Sequence, residues 1–331
     1  MLYRVAGLVV ICMAASLQVA HAQIASDLSA CPIFPPDSFW NVPIDKLPID
    51  QNSVAFIAVG GADKPLHPDF GSGTFNGSPI GIPYATVSGS QPKVKVTFNY
   101  PSESDAGPYP IPANVPIEGG ANSTGDRHVL IIDRDNCVLY ELYNTSPNSD
   151  GTWRASSGAI FDLQCSCLRP ATWTSADAAG LAIFPGLVRY DEAASGVILH
   201  AIRMTLPSTR QAFIWPARHY ASKITDASYP AMGQRFRLRA DYDLSGFSPI
   251  PRAILQALKT YGMILADNGS SWFISGVPDD RWDNNVLAEL KQLHGSDFEA
   301  VDSSPLMVTK DSGRTNLTPD APIPNRPRRP R

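Results

Sequence analysis

The sequence predicts a mainly β fold, a β-sandwich or jelly-roll-like single domain with two short helices toward its C-terminal end. Three observations lead there. Short apolar runs recur, bounded by turn residues; proline and glycine punctuate the chain throughout, 30 and 24 of 331 residues; and helical spacing of apolar residues occurs in only two places.

Residues 31–120 are the richest in Pro and Gly, as in CPIFPPDSFWN, GIPYATV and YPSESDAGPYPIPANVPIEGG. Proline cannot donate to a ladder, so this segment reads as edge strands such as KVKVTFNY (93–100) and ordered loops that wrap a sheet. From 128 to 215 the strands follow closely: HVLIID, CVLYELYN, GTWRASSGAIFDL, GVILHAIRMTL and QAFIWPA. The first helix is SPIPRAILQALKTYG, with Ser248 as N-cap, Pro251 in its first turn, Ile254, Leu255, Leu258 and Tyr261 on one face, and Gly262 as its stop. The second is DDRWDNNVLAELKQLHG, ended by Gly295. Between them MILADNGSSWFISG predicts a hairpin turned at Asn268-Gly269. No repeat of fixed period occurs.

MLYRVAGLVVICMAASLQVAHAQ has a basic n-region (Arg4), an apolar run and Ala20-His21-Ala22 before the expected cut at Gln23, the pattern of a secretory signal over 1–22. That run is too short for a membrane span, and none longer follows. The expected localisation is therefore secreted, extracellular or periplasmic. Of five cysteines, Cys12 leaves with the signal, and Cys31, Cys137, Cys165 and Cys167 remain for two disulfides. Cys165 and Cys167 stand so close in sequence that each is expected to bond to Cys31 or Cys137. The formal net charge of −4 becomes −5 without Arg4, and the only basic cluster is the Pro-interleaved tail IPNRPRRPR. Residues 309–331 read as a disordered tail, residues 23–308 as the domain, and nucleic acid is not an expected partner.

GDRHVLIIDRDNCVLYELYN (125–144) alternates, turns and alternates again. An even loop centred on Asp133–Asn136 pairs Ile132 with Cys137, Leu130 with Leu139, and His128 with Glu141. A carboxylate beside an imidazole orients a base; the bland account is a cross-strand ion pair finishing a sheet edge. In GVILHAIRMT, His200 shares a face with Ile198 and Ile202, where a core histidine bonded to a carbonyl is ordinary. Arg203 shares the other with Leu199 and Ala201, where a guanidinium needs a carboxylate or an anion. Asp177 in WTSADAAGLAIFPG either caps a turn or projects over the sheet. Trp215, Arg218 and His219 follow a strand ended by Pro216, and suit either a sugar ring or a structural Trp beside a salt-bridged Arg. No metal-ligand spacing, G-x-S-x-G elbow or phosphate loop occurs, so no metal or cofactor is expected.

Several long motifs in order, from DRHVLIIDRDNCVLYELYN through WTSADAAGLAIFPGLVRYDE, HAIRMT, FIWPARHYAS and PAMGQRFRLRADYDLSGF to YGMILADNGSSWFISG, resemble a family of secreted bacterial and fungal proteins, most without an assigned function. The resemblance covers most of the mature chain and implies one extracellular β-rich domain; it implies no substrate.

The expected function is cleavage of an extracellular polysaccharide by hydrolysis or β-elimination. Catalytic groups would come from His128, Glu141, Asp177, His200 and His219, with Arg203, Trp215 and Arg218 binding substrate. The alternative is a non-catalytic carbohydrate-binding or surface-structural module with Trp215, Trp272 and Trp282 as platforms. Convergence of the polar set in one place separates the two readings.

Overall fold

The computed structural model describes residues 31–317; the expected signal segment and the last part of the basic tail lie outside the described residues. Ten strands in two sheets position the polar side chains. They are β1 (His67–Asp69), β2 (Tyr84–Val87), β3 (Val129–Asp133), β4 (Val138–Tyr143), β5 (Ser157–Asp162), β6 (Ile202–Leu206), β7 (Arg235–Leu238), β8 (Met263–Asn268), β9 (Phe273–Ser275) and β10 (Phe298–Val301). The larger sheet runs β1-β9-β6-β8-β7-β10 and the smaller β5-β4-β3-β2. Pairs β1–β9, β6–β8 and β2–β3 are parallel. The β-rich expectation holds, but these parallel pairs are foreign to an all-antiparallel jelly roll.

β3 is buried along its whole length because both its faces are covered. Leu130 and Ile132 join the main core with residues of the larger sheet, such as Met204 and Ile274. Val129 and Ile131 enter a second core with Tyr140, Leu142, Val96, Tyr109 and Ala155. A small sheet of Val96–Phe98, Trp153–Ala155 and Ser146–Pro147 contributes to the cover on that side.

Four α-helices occur among the described residues: α1 (Ser53–Gly60), α2 (Tyr190–Ala194), α3 (Pro249–Thr260) and α4 (Asn284–Leu287). The sequence predicts α3 and the region of α4. Ser248 does not cap α3 through its side chain; its hydroxyl donates to Glu289. α4 is one turn capped by Asp283 and prolonged by a 3-10 stretch, Ala288–Gln292, and Gly295 opens a further turn rather than ending the helix. α1 lies in the segment read as edge strands and ordered loops. SVAFIAVG is apolar on every side, with Phe56 buried and Val54 85% exposed, so it shows no amphipathic period.

Three expectations change. QAFIWPA forms no strand and contributes only an isolated bridge, Phe213 to Met232. β8 and β9 do not form a hairpin, because β6 lies between them; neither Asn268 nor Gly269 takes a positive φ, and residues 269–272 cross the end of β6, with Gly269 N–H donating to Leu206 O at 2.9 Å. The tail does not begin at 309. Residues up to 317 return to the body, where Arg314 meets Asp37 at 2.9 Å and Gly313 N–H donates to Ser166 O at 2.8 Å.

The disulfides are Cys31–Cys137 and Cys165–Cys167, not the crossed arrangement expected. A turn after Asp162 brings the Cα atoms of Cys165 and Cys167 to 5.1 Å, within bridging range. No helix among the described residues is long and apolar enough to cross a membrane.

Cys31 and Cys137 are 106 residues apart. In the chain-entropy account their bridge contributes about 4–5 kcal/mol, against about 1.5 for the Cys165–Cys167 loop. Urea unfolding of Cys31→Ala/Cys137→Ala should therefore show a much larger loss than Cys165→Ser/Cys167→Ser.

Candidate functional site

Residues 175–188 are almost wholly buried although they contain no strand, which obliges their backbone polar groups to find partners. This loop lies between groups of both sheets. From it Asp177, with no exposed side-chain surface, accepts two hydrogen bonds from Arg203 of β6, each 2.7 Å, in a bidentate fork. The third guanidinium nitrogen donates to Ser275 Oγ of β9 at 2.7 Å. The loop closes over the pair at Gly186, where any Cβ would stand 2.9 Å from the Arg203 backbone nitrogen and Cβ.

The smaller sheet meets the same loop. Its hairpin pairs Asp133 with Val138 and Leu130 with Glu141, two residues away from the expected register. Cys137 in the left-handed region (φ 54°) moves the turn toward the second strand. Parity survives, so His128 and Glu141 keep one face, but they are not direct partners. The His128 ring lies 5.6 Å from that of Tyr143. Its Nδ1 pairs with Glu118 Oε2 at 2.6 Å and its Nε2 with Ala176 O at 3.0 Å. Both partners are acceptors, so the ring in this geometry is an imidazolium. Burial pulls its pKa down, but the Glu118 carboxylate outweighs that and lifts it to about 9. Burial acts to raise Glu118, and the His128 charge and hydrogen bonds hold it below the usual value. Glu141 is fully buried; it accepts Ile183 and Phe184 N–H at 2.9–3.0 Å. Burial raises its pKa to about 7 against those hydrogen bonds, with Asp177 adding to the rise.

Asp267 comes from β8 through a bulge. Met204 pairs with Leu265 but Thr205 with Asp267, leaving Ala266 as the extra residue. Simple alternation would send Asp267 to the face of Met263 and Leu265; the bulge re-aims it toward Arg203, with Nη2 at 3.5 Å. Its side chain keeps 24% of its surface exposed. Burial, then the Asp177 charge, raise its pKa to about 7 against the pull of Arg203. Asp69 is the register partner of Ser275 in the parallel β1–β9 pair, hence on the same face, and is exposed. Burial and Glu118 raise its pKa, opposed by Arg203.

Of the residues singled out from sequence, His128, Glu141, Asp177 and Arg203 come together here. The others do not. His200 pairs with Ala201 O and Glu192, beside Arg189. His219 donates to Ala178 O through Nδ1, with Glu103 3.8 Å from its other nitrogen. Arg218 holds Arg169 O, Lys310 O and Asp311, and Trp215 donates to Ser312 O. These two fasten the returning C-terminal segment. Trp272 and Trp282 are buried, with their N–H groups on Gly61 O and Val277 O.

Sequence reasoning missed Asp69, Glu118, Asp126 and Asp267. The only sequence sign was their placing: Asp267 ends the apolar run MILA, and Asp126 stands two residues before His128. Glu118, Asp126 and His128 each bring one ligand atom within 4.8 Å of the others, close enough for a cation. Ligation through His128 would require a ring nitrogen to give up its present acceptor.

Comparison with protein families, curated proteins and solved structures finds no match to this chain.

Asp177→Asn should cost about 3–5 kcal/mol in urea unfolding, because it strands a buried guanidinium. The pH dependence has a definite sign. His128 is raised from 6.5 to about 9, so its contribution is complete below pH 6.5 and lost as pH climbs through 9. Glu141, raised from 4.5 to about 7, contributes below 4.5 and loses that contribution through 7. Both make stability fall with rising pH. His128→Gln should flatten the upper part of the curve measured by thermal unfolding.

Proposed function

We propose that the protein is an exported hydrolase of glycosidic bonds in a polysaccharide, with Asp267 as general acid and Asp69 as its partner carboxylate. The observation that carries this reading is Asp267: a partly exposed side chain whose carboxyl has a pKa raised to about 7, aimed by a bulge at a buried Asp–Arg pair. Glycoside hydrolysis needs one carboxyl protonated near neutrality to give its proton to the leaving oxygen. A second carboxylate must activate water or attack the anomeric carbon, and Asp69 shares the sheet face. Arg203 and Asp177 act as positioning residues. Tyr143, partly exposed beside Asp126 and Tyr100, offers a ring for stacking on sugar.

β-Elimination is less well supported. It asks for a free arginine to neutralise a uronate and a base to take the α-proton. Arg203 and Arg218 are fully engaged, and His128 has both nitrogens on acceptors. The non-catalytic module is weakened by the burial of Trp272 and Trp282, which leaves no stacking face there. Export to the periplasm or cell exterior rests on the leader pattern of residues 1–22, and the two disulfides suit an oxidising compartment.

The test is release of reducing ends from a panel of neutral and uronic-acid polysaccharides. Asp267→Asn should lower kcat by about 10²–10⁴, while its thermal midpoint holds or rises because a crowded carboxylate is gone. Wild-type activity should decline as pH passes 7, where Asp267 loses its proton. Wild-type kcat in Asp267→Asn, or inactivity of folded protein across the panel, would end this reading.

A further inference from the structure

The second disulfide lies apart from these carboxylates and has neighbours of its own. Cys167 is exposed and Cys165 half-buried, whereas Cys31 and Cys137 are only 6% and 8% exposed. The two bridges also differ in their coupling to the fold. Opening Cys31–Cys137 frees a span of 106 residues, so fold stability opposes its reduction. Opening Cys165–Cys167 frees a span of two, and chain entropy offers little opposition. Beside Cys167 runs a shallow groove lined by Phe34, Phe161, Leu168 and Pro170, with Asp105, Asp162 and Arg169 as polar groups. It gives a small molecule access to Cys167.

We propose that Cys165–Cys167 is a thiol-exchange site, opened by small thiols while Cys31–Cys137 stays closed, and that its opening loosens the returning segment 309–317. A thiolate attacks Cys167 Sγ, the sulfur–sulfur bond breaks, and Cys165 leaves as a thiolate. A second thiol attacks the mixed disulfide and releases Cys167. The protein disulfide gains two electrons, and two thiols become one oxidised dimer. The link to the segment is direct. Ser166, the residue inside the bridge, accepts Gly313 N–H through its carbonyl at 2.8 Å. Its hydroxyl donates to Asp37 at 3.0 Å, and Asp37 also takes Arg314 and, through its backbone oxygen, Thr315. Cys167 itself forms a bridge pair with Ser312. The Cys-Ser-Cys loop is thus the platform on which the segment rests.

The experiment treats folded full-length protein with graded glutathione or dithiothreitol, blocks free thiols with iodoacetamide and maps peptides without reduction. Cys165 and Cys167 should be alkylated at least about tenfold faster than Cys31 and Cys137, with a glutathione adduct on Cys167. Simultaneous opening of both bridges, or earlier opening of Cys31–Cys137, would overturn the assignment. Trypsin cleavage at Lys310 and Arg314 reads the segment: it should accelerate on opening, and Cys165→Ser/Cys167→Ser should cleave at the opened rate without thiol. Unchanged cleavage with the bridge open would refute the coupling.

Discussion

The Arg203 guanidinium is buried among apolar strands, and the Asp177 carboxylate answers its charge. Arg203 sits on a central strand and Asp177 on the buried loop 175–188, so the pair fixes that loop against the larger sheet. The same loop supplies Ala176 O to His128 and two N–H groups to Glu141, both on the smaller sheet. Two sheets and an irregular segment are thereby held to one polar centre. Such an arrangement contributes little net stability relative to a well-packed apolar one, yet removing one member leaves a stranded charge. Its value lies in fixed positions for the groups around it.

Much of this was legible in the chain. A buried arginine demands an acid, and Asp177 is among the carboxylates that the sequence singles out. The continuous apolar run of VLIID read as a strand and became one covered on both faces. The helix from Pro249 announced itself by proline at its start, apolar spacing and a glycine after its end. These features are local, or follow from a single unsatisfied group.

What was not legible depended on backbone displacement of one or two residues. Cys137 adopts a left-handed conformation and shifts the hairpin, which turns an expected His128–Glu141 pair into two separate partnerships. Ala266 bulges and sends Asp267 to the opposite face from that which alternation assigns. Asparagine followed by glycine suggested a tight turn, but the parallel pairing of β6 with β8 needed the chain to cross the strand end instead. Periodicity reports which residues prefer burial; it carries no record of an inserted residue or of which strand intervenes. Glu118 and Asp69 come from the proline-rich segment, where no periodicity exists to flag an out-of-place carboxylate.

The return of residues 309–317 has a consequence in time as well as in space. Phe39 N–H donates to Gly313 O, Thr315 N–H to Asp37 O, and Arg314 grips the Asp37 carboxylate. The first and last described segments are therefore mutual partners, and β1 must await a strand some two hundred residues later. Loops that long close late. A growing chain cannot complete this body until residues 309–317 have been synthesised, so the stretch around Asp37 stays open until then.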